Sequence, residues 1–167
     1  MTDFKDLLLV GIAAAKAAVN NKKEIDDLIE SINVKVKEIS EGKALFGKGD
    51  FYKAKVVESK INKAVTISSF FSGFDTIKYE GVGVFDSNGK KGIALAEFIM
   101  SENGYPCTLM FDGERLVCSN KIELENALSS LAQYVKTGEA ILKQMADHDN
   151  ESCLILKHDS DDEIDAK

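Results

Sequence analysis

The first forty residues place their apolar side chains with the period of a helix. Residues 3–19 are mostly apolar and rich in alanine, the strongest helix former. Beyond residue 21, isoleucine and valine recur at spacings of four, three, four and three, which puts them on one side of a helix. The pattern predicts a helical N-terminal arm over residues 1–42, capped by Thr2 and stopped at Gly42. It leaves open whether this arm is one helix or two, because residues 32–37 also alternate like a strand.

From residue 51 onward the apolar residues alternate with period two, which is typical of β-strands, whereas residues 43–50 resemble a loop. Three dipeptides that tolerate positive φ, at 88–89, 103–104 and 112–113, predict hairpin turns and hence an antiparallel β-meander over residues 51–118. If each turn has two residues, the three hairpins together place one set on one face of the sheet. That set is Ile77, Tyr79, Phe98, Met100, Cys107, Leu109, Phe111, Leu116 and Cys118.

The same register makes predictions for the rest of the sheet. Gly81 and Gly83 would share the first face and let a helix approach closely. The opposite face would then be half apolar, covered either by the N-terminal helices or by a partner. Its residues would be Val82, Val84, Ile93, Leu95, Ile99, Thr108, Met110 and Val117.

A second long helix is predicted over residues 120–146. Asn120 and Glu123 form a capping box, and Gly138 is the expected site of a kink or split. Residues 152–157 are β-rich enough for a short final strand, and the acidic residues 159–167 are expected to be a disordered tail. The sequence thus predicts a single α+β domain over residues 1–158, with the long C-terminal helix packed on the sheet.

Composition limits the class of protein. The apolar fraction of 44% and the charged fraction of 29% are those of a globular chain. The net charge of −7 disfavours nonspecific binding to nucleic acids or anionic membranes, although residues 43–100 carry nine lysines against six acids, net +3. The acidic start MTDFKD is unlike a signal peptide, and the apolar run of residues 7–15 is too short to span a bilayer. We therefore expect a cytoplasmic protein without membrane contact, whose three cysteines are free thiols.

No residue pattern predicts catalysis, a cofactor or a metal site. Cys107 and Cys118 are expected to face each other across a hairpin, but two buried thiols are the favoured interpretation. The chain offers no second cysteine or histidine pair near them to complete a zinc site. His148 and His158 stand beside acidic residues and show no nucleophile arrangement. We therefore expect a protein that is not an enzyme.

Two surfaces remain as candidates for binding. Small residues on the first helix would admit another helix and so favour a homo-oligomer; these are Gly11, Ala14, Ala15 and Ala18. Lysines mixed with aromatic residues in the β region resemble the surfaces that bind single-stranded nucleic acid or a protein partner. These are Lys53, Lys55, Lys60, Lys63, Phe70, Phe71 and Phe74.

The favoured hypothesis is a small cytoplasmic binding or regulatory protein that acts through protein–protein contacts and is homo-oligomeric. One alternative is a single-stranded nucleic-acid-binding protein with an acidic C-terminal tail. A second alternative is an accessory inhibitor, viral or from a mobile element, that presents acidic surface to a basic partner.

Overall fold

The structure, a computed structural model, describes residues 3–54 and 76–161, with side chains through residue 152. Over these residues the fold is α+β, as predicted, with three helices and one five-stranded antiparallel sheet in the order β1-β2-β3-β4-β5. The elements are α1 (Phe4–Ile39), β1 (Ala44–Ala54), β2 (Thr76–Asp86), β3 (Gly92–Ser101), β4 (Gly104–Phe111), β5 (Glu114–Cys118), α2 (Lys121–Gln133) and α3 (Val135–Asp161).

Helix α1 is a single helix of 36 residues, so residues 32–37 are helical and not a strand. Its N-cap is Asp3 and not Thr2, because the carboxylate of Asp3 accepts a hydrogen bond from the backbone N–H of Lys5 at 2.9 Å. The helix ends before Gly42, which has φ of +80° and donates its N–H to the carbonyl of Lys37. The predicted stop at this glycine is therefore confirmed.

The sheet begins at Ala44, so the predictions of a loop over residues 43–50 and of a sheet starting at residue 51 are wrong. Glycine at 47 and 49 made this segment resemble a loop, but both glycines pair in register with Gly83 and Gly81 of β2. Phe46 is buried, and its backbone N–H donates to Oδ1 of Asn33 at 2.9 Å. Burial and this bond to α1 fix the segment as a strand.

The predicted strand pairs are confirmed in the second and third hairpins, but the second turns at 102–103 and not at 103–104, because the register shifts after Met100 and Ser101 pairs with Gly104. Phe98 pairs with Leu109, and Cys107 pairs with Cys118. In the first hairpin, Gly83 pairs with Ala94 as expected, but a β-bulge between Val82 and Gly83 then shifts the pairing by one residue. Because side chains alternate between faces, the shift moves Ile77 and Tyr79 off the face of Phe98, where they were predicted.

The same shift reverses the predicted faces of two glycines and two valines of β2. Val82 and Val84 lie in the core and not on the opposite face. Gly81 and Gly83 lie on the opposite face, where the ring of Phe51 and not a helix occupies the space above them. A Cβ on Gly83 would stand 2.7 Å from Cζ of Phe51.

The predicted helix over residues 120–146 is two helices that break at Tyr134 and not at Gly138. The capping box is confirmed, since Asn120 Oδ1 accepts from the N–H of Glu123 at 3.1 Å. Tyr134 is extended, with ψ of 134°, and its hydroxyl donates to Asp112 at 2.8 Å while its ring packs on Phe111. Because the helix breaks at this residue, Tyr134 reaches the β4–β5 turn. Helix propensity does not predict this tertiary contact.

Helix α3 continues through residue 161, so the prediction of a strand over residues 152–157 is wrong. Residues 159–161 are likewise helical, and the remainder of the predicted acidic tail lies outside the described residues. The residue types of this segment favour a strand, but extending an existing helix needs no new nucleation, so the helix continues.

One hydrophobic core joins the three helices to a single face of the sheet. Ile25 and Ile29 of α1, Leu124 and Leu128 of α2, and Ala140 of α3 all belong to it. The sheet contributes Ala44, Phe46, Val82, Val84, Ala96, Phe98, Cys107, Leu109 and Cys118. The N-terminal helix therefore covers this face and not the opposite one, on which Ile99 and Val117 are about half exposed.

Candidate functional site: an overhanging helix

Helix α1 leaves the sheet at the β3–β4 turn. The side-chain amide of Asn21 donates to the carbonyl of Asn103 at 2.9 Å, and Gly104 lies directly against Asn21. A Cβ on Gly104 would stand only 2.7 Å from that of Asn21, so glycine permits the contact. One turn further along the helix, Glu24 accepts a hydrogen bond from the hydroxyl of Tyr105 at 3.1 Å. Burial, reinforced by Glu24, raises the pKa of Tyr105.

We call residues 21–39 of α1 the seated half and residues 4–20 the overhang. The overhang extends about 25 Å beyond the junction at Asn21, at 1.5 Å per residue. Its large apolar side chains are all more than half exposed, from 77% for Phe4 to 52% for Ile12. The others are Leu7, Leu8, Leu9, Val10 and Val19. By contrast Ile25, at the start of the seated half, is fully buried.

One apolar stripe runs along both halves of α1. The buried residues Ile25, Ile29 and Val36 have the spacing of a heptad repeat, with Ile32 between them. Counting backward in the same steps of three and four passes Lys22 and reaches five residues of the overhang. These are Ala18, Ala15, Gly11, Leu8 and Phe4. The overhang thus repeats the pattern of the seated half, but the described strands leave its large apolar side chains exposed.

The residues predicted as an oligomer surface all lie on the overhang. Gly11 and Ala15 are exposed on the stripe, Ala14 is exposed beside it, and Ala18 is half-buried. Open space surrounds Gly11. The predicted surface includes these small residues but not the large ones, Phe4 and Leu8, that share their stripe. The signal was present, because the three–four spacing counted from Ile25 already leads to them.

The predicted lysine and aromatic surface falls mostly on residues 55–75, outside the described residues. This applies to six of its residues: Lys55, Lys60, Lys63, Phe70, Phe71 and Phe74. Lys53 is described, and its amino group is paired with Glu97 at 2.7 Å and lies 5.1 Å from the centre of the Tyr79 ring. Nucleic-acid binding by this surface stays a prediction.

The sheet face opposite the helices carries an aromatic cluster near Lys53. Phe51 packs between Tyr79 and Phe85, with ring centres 6.0 and 5.7 Å apart. Phe51 covers Gly81 and Gly83, and Phe85 covers Gly49 and Gly92. Rings over glycine fill space that no Cβ occupies, which is a structural role for this cluster.

Cys107 and Cys118 lie opposite each other across β4 and β5 as free, buried thiols. Burial raises the pKa of Cys107 to about 12, and it also raises the pKa of Cys118. Such thiols are protonated near neutral pH and poor as nucleophiles or metal ligands. Among the described residues, no group of three or more His, Cys, Asp or Glu side chains is placed to hold a metal ion.

Comparisons with protein-family models, with curated proteins and with solved structures gave no match for this chain. Across the part of the chain that the structure describes, none of the helices has both the length and the apolar character needed to cross a membrane.

Proposed function

We propose that this chain is a protein–protein interaction module, not an enzyme, and that the overhang is its docking element. The observation that carries the proposal is the exposure of seven large apolar side chains on 17 consecutive helical residues. A helix that is apolar on nearly all sides is normally buried. None of the described strands covers these side chains, so we take a partner as the natural source of that burial.

The body of the fold supports this role because it holds the overhang in a fixed direction. The seated half is anchored by the buried Ile25, by the Asn21–Asn103 hydrogen bond and by the Tyr105–Glu24 hydrogen bond. A helix that continues from a fixed turn needs no new nucleation, so the overhang is already helical when a partner arrives. Preorganisation of this kind lowers the entropic cost of binding.

We place this function in the cytoplasm. The two thiols of Cys107 and Cys118 face each other unbonded, which fits a reducing compartment. The net charge of −7 fits a protein that acts on another protein better than one that binds nucleic acid nonspecifically.

Site-specific photo-crosslinking in cells tests the proposal. A photoreactive amino acid is introduced at Leu8, on the stripe, or at Ala13, which is exposed on the far side of the same helix. We expect ultraviolet light to attach a protein to the Leu8 position and to give much less adduct at Ala13. Equal labelling of both positions, or no protein adduct at Leu8, would contradict a docking role for the overhang.

A further inference from the structure

We propose that the overhang binds the overhang of a second copy of this chain, and that the two helices pair antiparallel. This inference rests on the proposed function and names the partner of the same surface. It follows from the way that side-chain size is distributed along the overhang, from its charge and from the area that it exposes.

The overhang is divided by size. Its N-terminal half carries Phe4, Leu7, Leu8, Leu9, Val10 and Ile12, whereas residues 13–18 are five alanines and one lysine. A parallel pair would set large residues against large and alanine against alanine, which crowds one end and leaves gaps at the other. An antiparallel pair sets each large half against the small half of the other copy, so the interface fills evenly.

The middle of the overhang suits a two-fold axis. Gly11 lies near the centre of residues 4–20, is exposed, and has no neighbouring atom within 4 Å of its Cβ position. In an isologous pair the central residues meet their own copies, and glycine lets the two backbones approach there. Phe4 and Leu8 of each copy then pack near Ala18 and Ala15 of the other.

Charge and area also favour a second copy. The overhang carries two lysines and one aspartate, net +1, so two overhangs can meet with little repulsion although each chain carries a net charge of −7. A helix that lies on a membrane surface instead has a strongly basic polar face, which two lysines do not supply. Five large side chains on or beside the stripe offer roughly 100 Å² each, so two copies bury about 1,000 Å², which a specific interface needs.

The first test measures molar mass by light scattering from about 5 to about 500 µM protein. We expect wild type to approach twice the 18.3 kDa of one chain as concentration rises. Leu8→Glu would bury a charge at the pairing surface and should weaken association by at least about tenfold. Ala13→Glu, on the far side of the helix, is the matched control and should associate as wild type does. Circular dichroism of both variants checks that the fold is retained.

The second test determines orientation by disulfide formation, with Cys153 replaced by serine. Lys5 and Val19 are equally far from Ile12 and lie on the same edge of the stripe. A mixture of the Lys5→Cys and Val19→Cys variants should form the mixed disulfide several-fold faster than either variant forms a disulfide with itself. Self-disulfides that dominate for each variant would show a parallel pair and overturn the orientation.

The two proposals fail separately. A wild-type chain that stays at the mass of one copy up to about 500 µM overturns self-pairing. If the Leu8 photo-adduct then contains a different protein, the docking role stands without self-pairing. If wild type floats with vesicles of phosphatidylcholine and phosphatidylglycerol, Leu8→Glu abolishes this, and Leu8 gives no protein adduct, the partner is a lipid surface and both proposals fall.

Discussion

The two halves of α1 share one helix and one stripe, yet they have opposite surroundings. In the seated half, isoleucine and valine face the core, and Ile25 is fully buried. The other sides are mostly polar, with Val34 and Ile39 as exposed apolar exceptions. In the overhang the stripe continues through Phe4, Leu8 and Ala15, but the neighbouring positions are apolar too, and Phe4 is 77% exposed. The seated half has the composition of a helix with one covered side. The overhang has the composition of a helix covered on several sides.

Among the described residues, burial along α1 follows the contact with the sheet and not the pattern of the helix, because the same stripe is buried at one end and exposed at the other. The seated half ends at Asn21, which lies against Gly104 at the start of β4. The large apolar side chains beyond that point are more than half exposed, so we expect them to add little to the stability of a single copy. If they serve binding, as proposed, substitutions in the two halves should separate folding from association.

The largest expected contrast comes from one substitution made in each half. Ile25→Ala removes a fully buried side chain from the core and should lower the free energy of unfolding by about 2–5 kcal/mol. Ile12→Ala makes the same chemical change where the side chain is 52% exposed, and should change it by less than about 0.5 kcal/mol. Urea unfolding of both variants at low protein concentration measures the contrast.

The reverse pattern should appear in association. Ile12→Ala should weaken self-pairing, whereas Ile25→Ala at a temperature where it remains folded should not. Equal losses of stability from Ile12→Ala and Ile25→Ala would show that the overhang is packed within a single copy, and would end the distinction between the halves.

The junction between the halves can be broken at Gly104. This glycine has φ of +87°, and a Cβ would also meet Asn21, so Gly104→Ala should cost about 3 kcal/mol and loosen the start of the seated half. Gly113 has φ of +78° with open space around it, so Gly113→Ala isolates the backbone strain and should cost about 1–2 kcal/mol. Urea unfolding measures both, and an equal cost would mean that the contact with Asn21 is not tight.

Substitution of a polar residue in each half should give a smaller difference in stability. Asn33 is buried and accepts the backbone N–H of Phe46, so Asn33→Ala leaves that donor unsatisfied and should cost about 1–2 kcal/mol. Asn20 is exposed at the end of the overhang, and Asn20→Ala should be neutral or slightly stabilising because alanine favours helix. Thermal unfolding compares the stability of the two variants. A loss of stability at Asn20 as large as that at Asn33 would contradict the exposed position of Asn20.

Much of the fold was predictable because local patterns and tertiary contacts agree. The turn at 112–113 and the pairs of Phe98 and Cys107 follow from turn chemistry, although the second hairpin turns one residue earlier than predicted. The first hairpin was not fully predictable, since a β-bulge at Gly83 carries no local mark and changes the face of Tyr79. The break at Tyr134 depends on a hydrogen bond to Asp112, which lies 22 residues away.

The candidate site was predictable only in part. Small residues such as Gly11 and Ala15 indicated that a helix could approach, and the structure places both on the overhang. Exposure was not predictable, because the sequence does not state where the sheet beneath α1 ends. The spacing that joins Phe4 to Ile25 gains its meaning only once one end of the stripe is seen to be buried and the other exposed.

The smallest expected effect lies at the first anchored turn of the seated half. The hydroxyl of Tyr105 donates to Glu24, so Tyr105→Phe should lower the free energy of unfolding at pH 7 by about 1 kcal/mol. Tyr52→Phe, at an exposed residue, is the control and should leave stability at pH 7 unchanged. An equal loss in both variants would show that the bond to Glu24 adds nothing to the anchoring of α1.

The advantage of wild type over Tyr105→Phe should also depend on pH. Burial and Glu24 raise the pKa of Tyr105 in the folded protein, so the unfolded chain loses its proton first as pH rises. The advantage is therefore complete below the ordinary tyrosine pKa of about 10 and falls as pH rises toward the folded value. Burial also raises the pKa of Cys107, so both proteins lose stability in the same alkaline range, and the difference between wild type and Tyr105→Phe is taken at each pH. Urea unfolding from about pH 7 to about pH 11 measures that difference, and a constant value would mean that Tyr105 is not held protonated against Glu24.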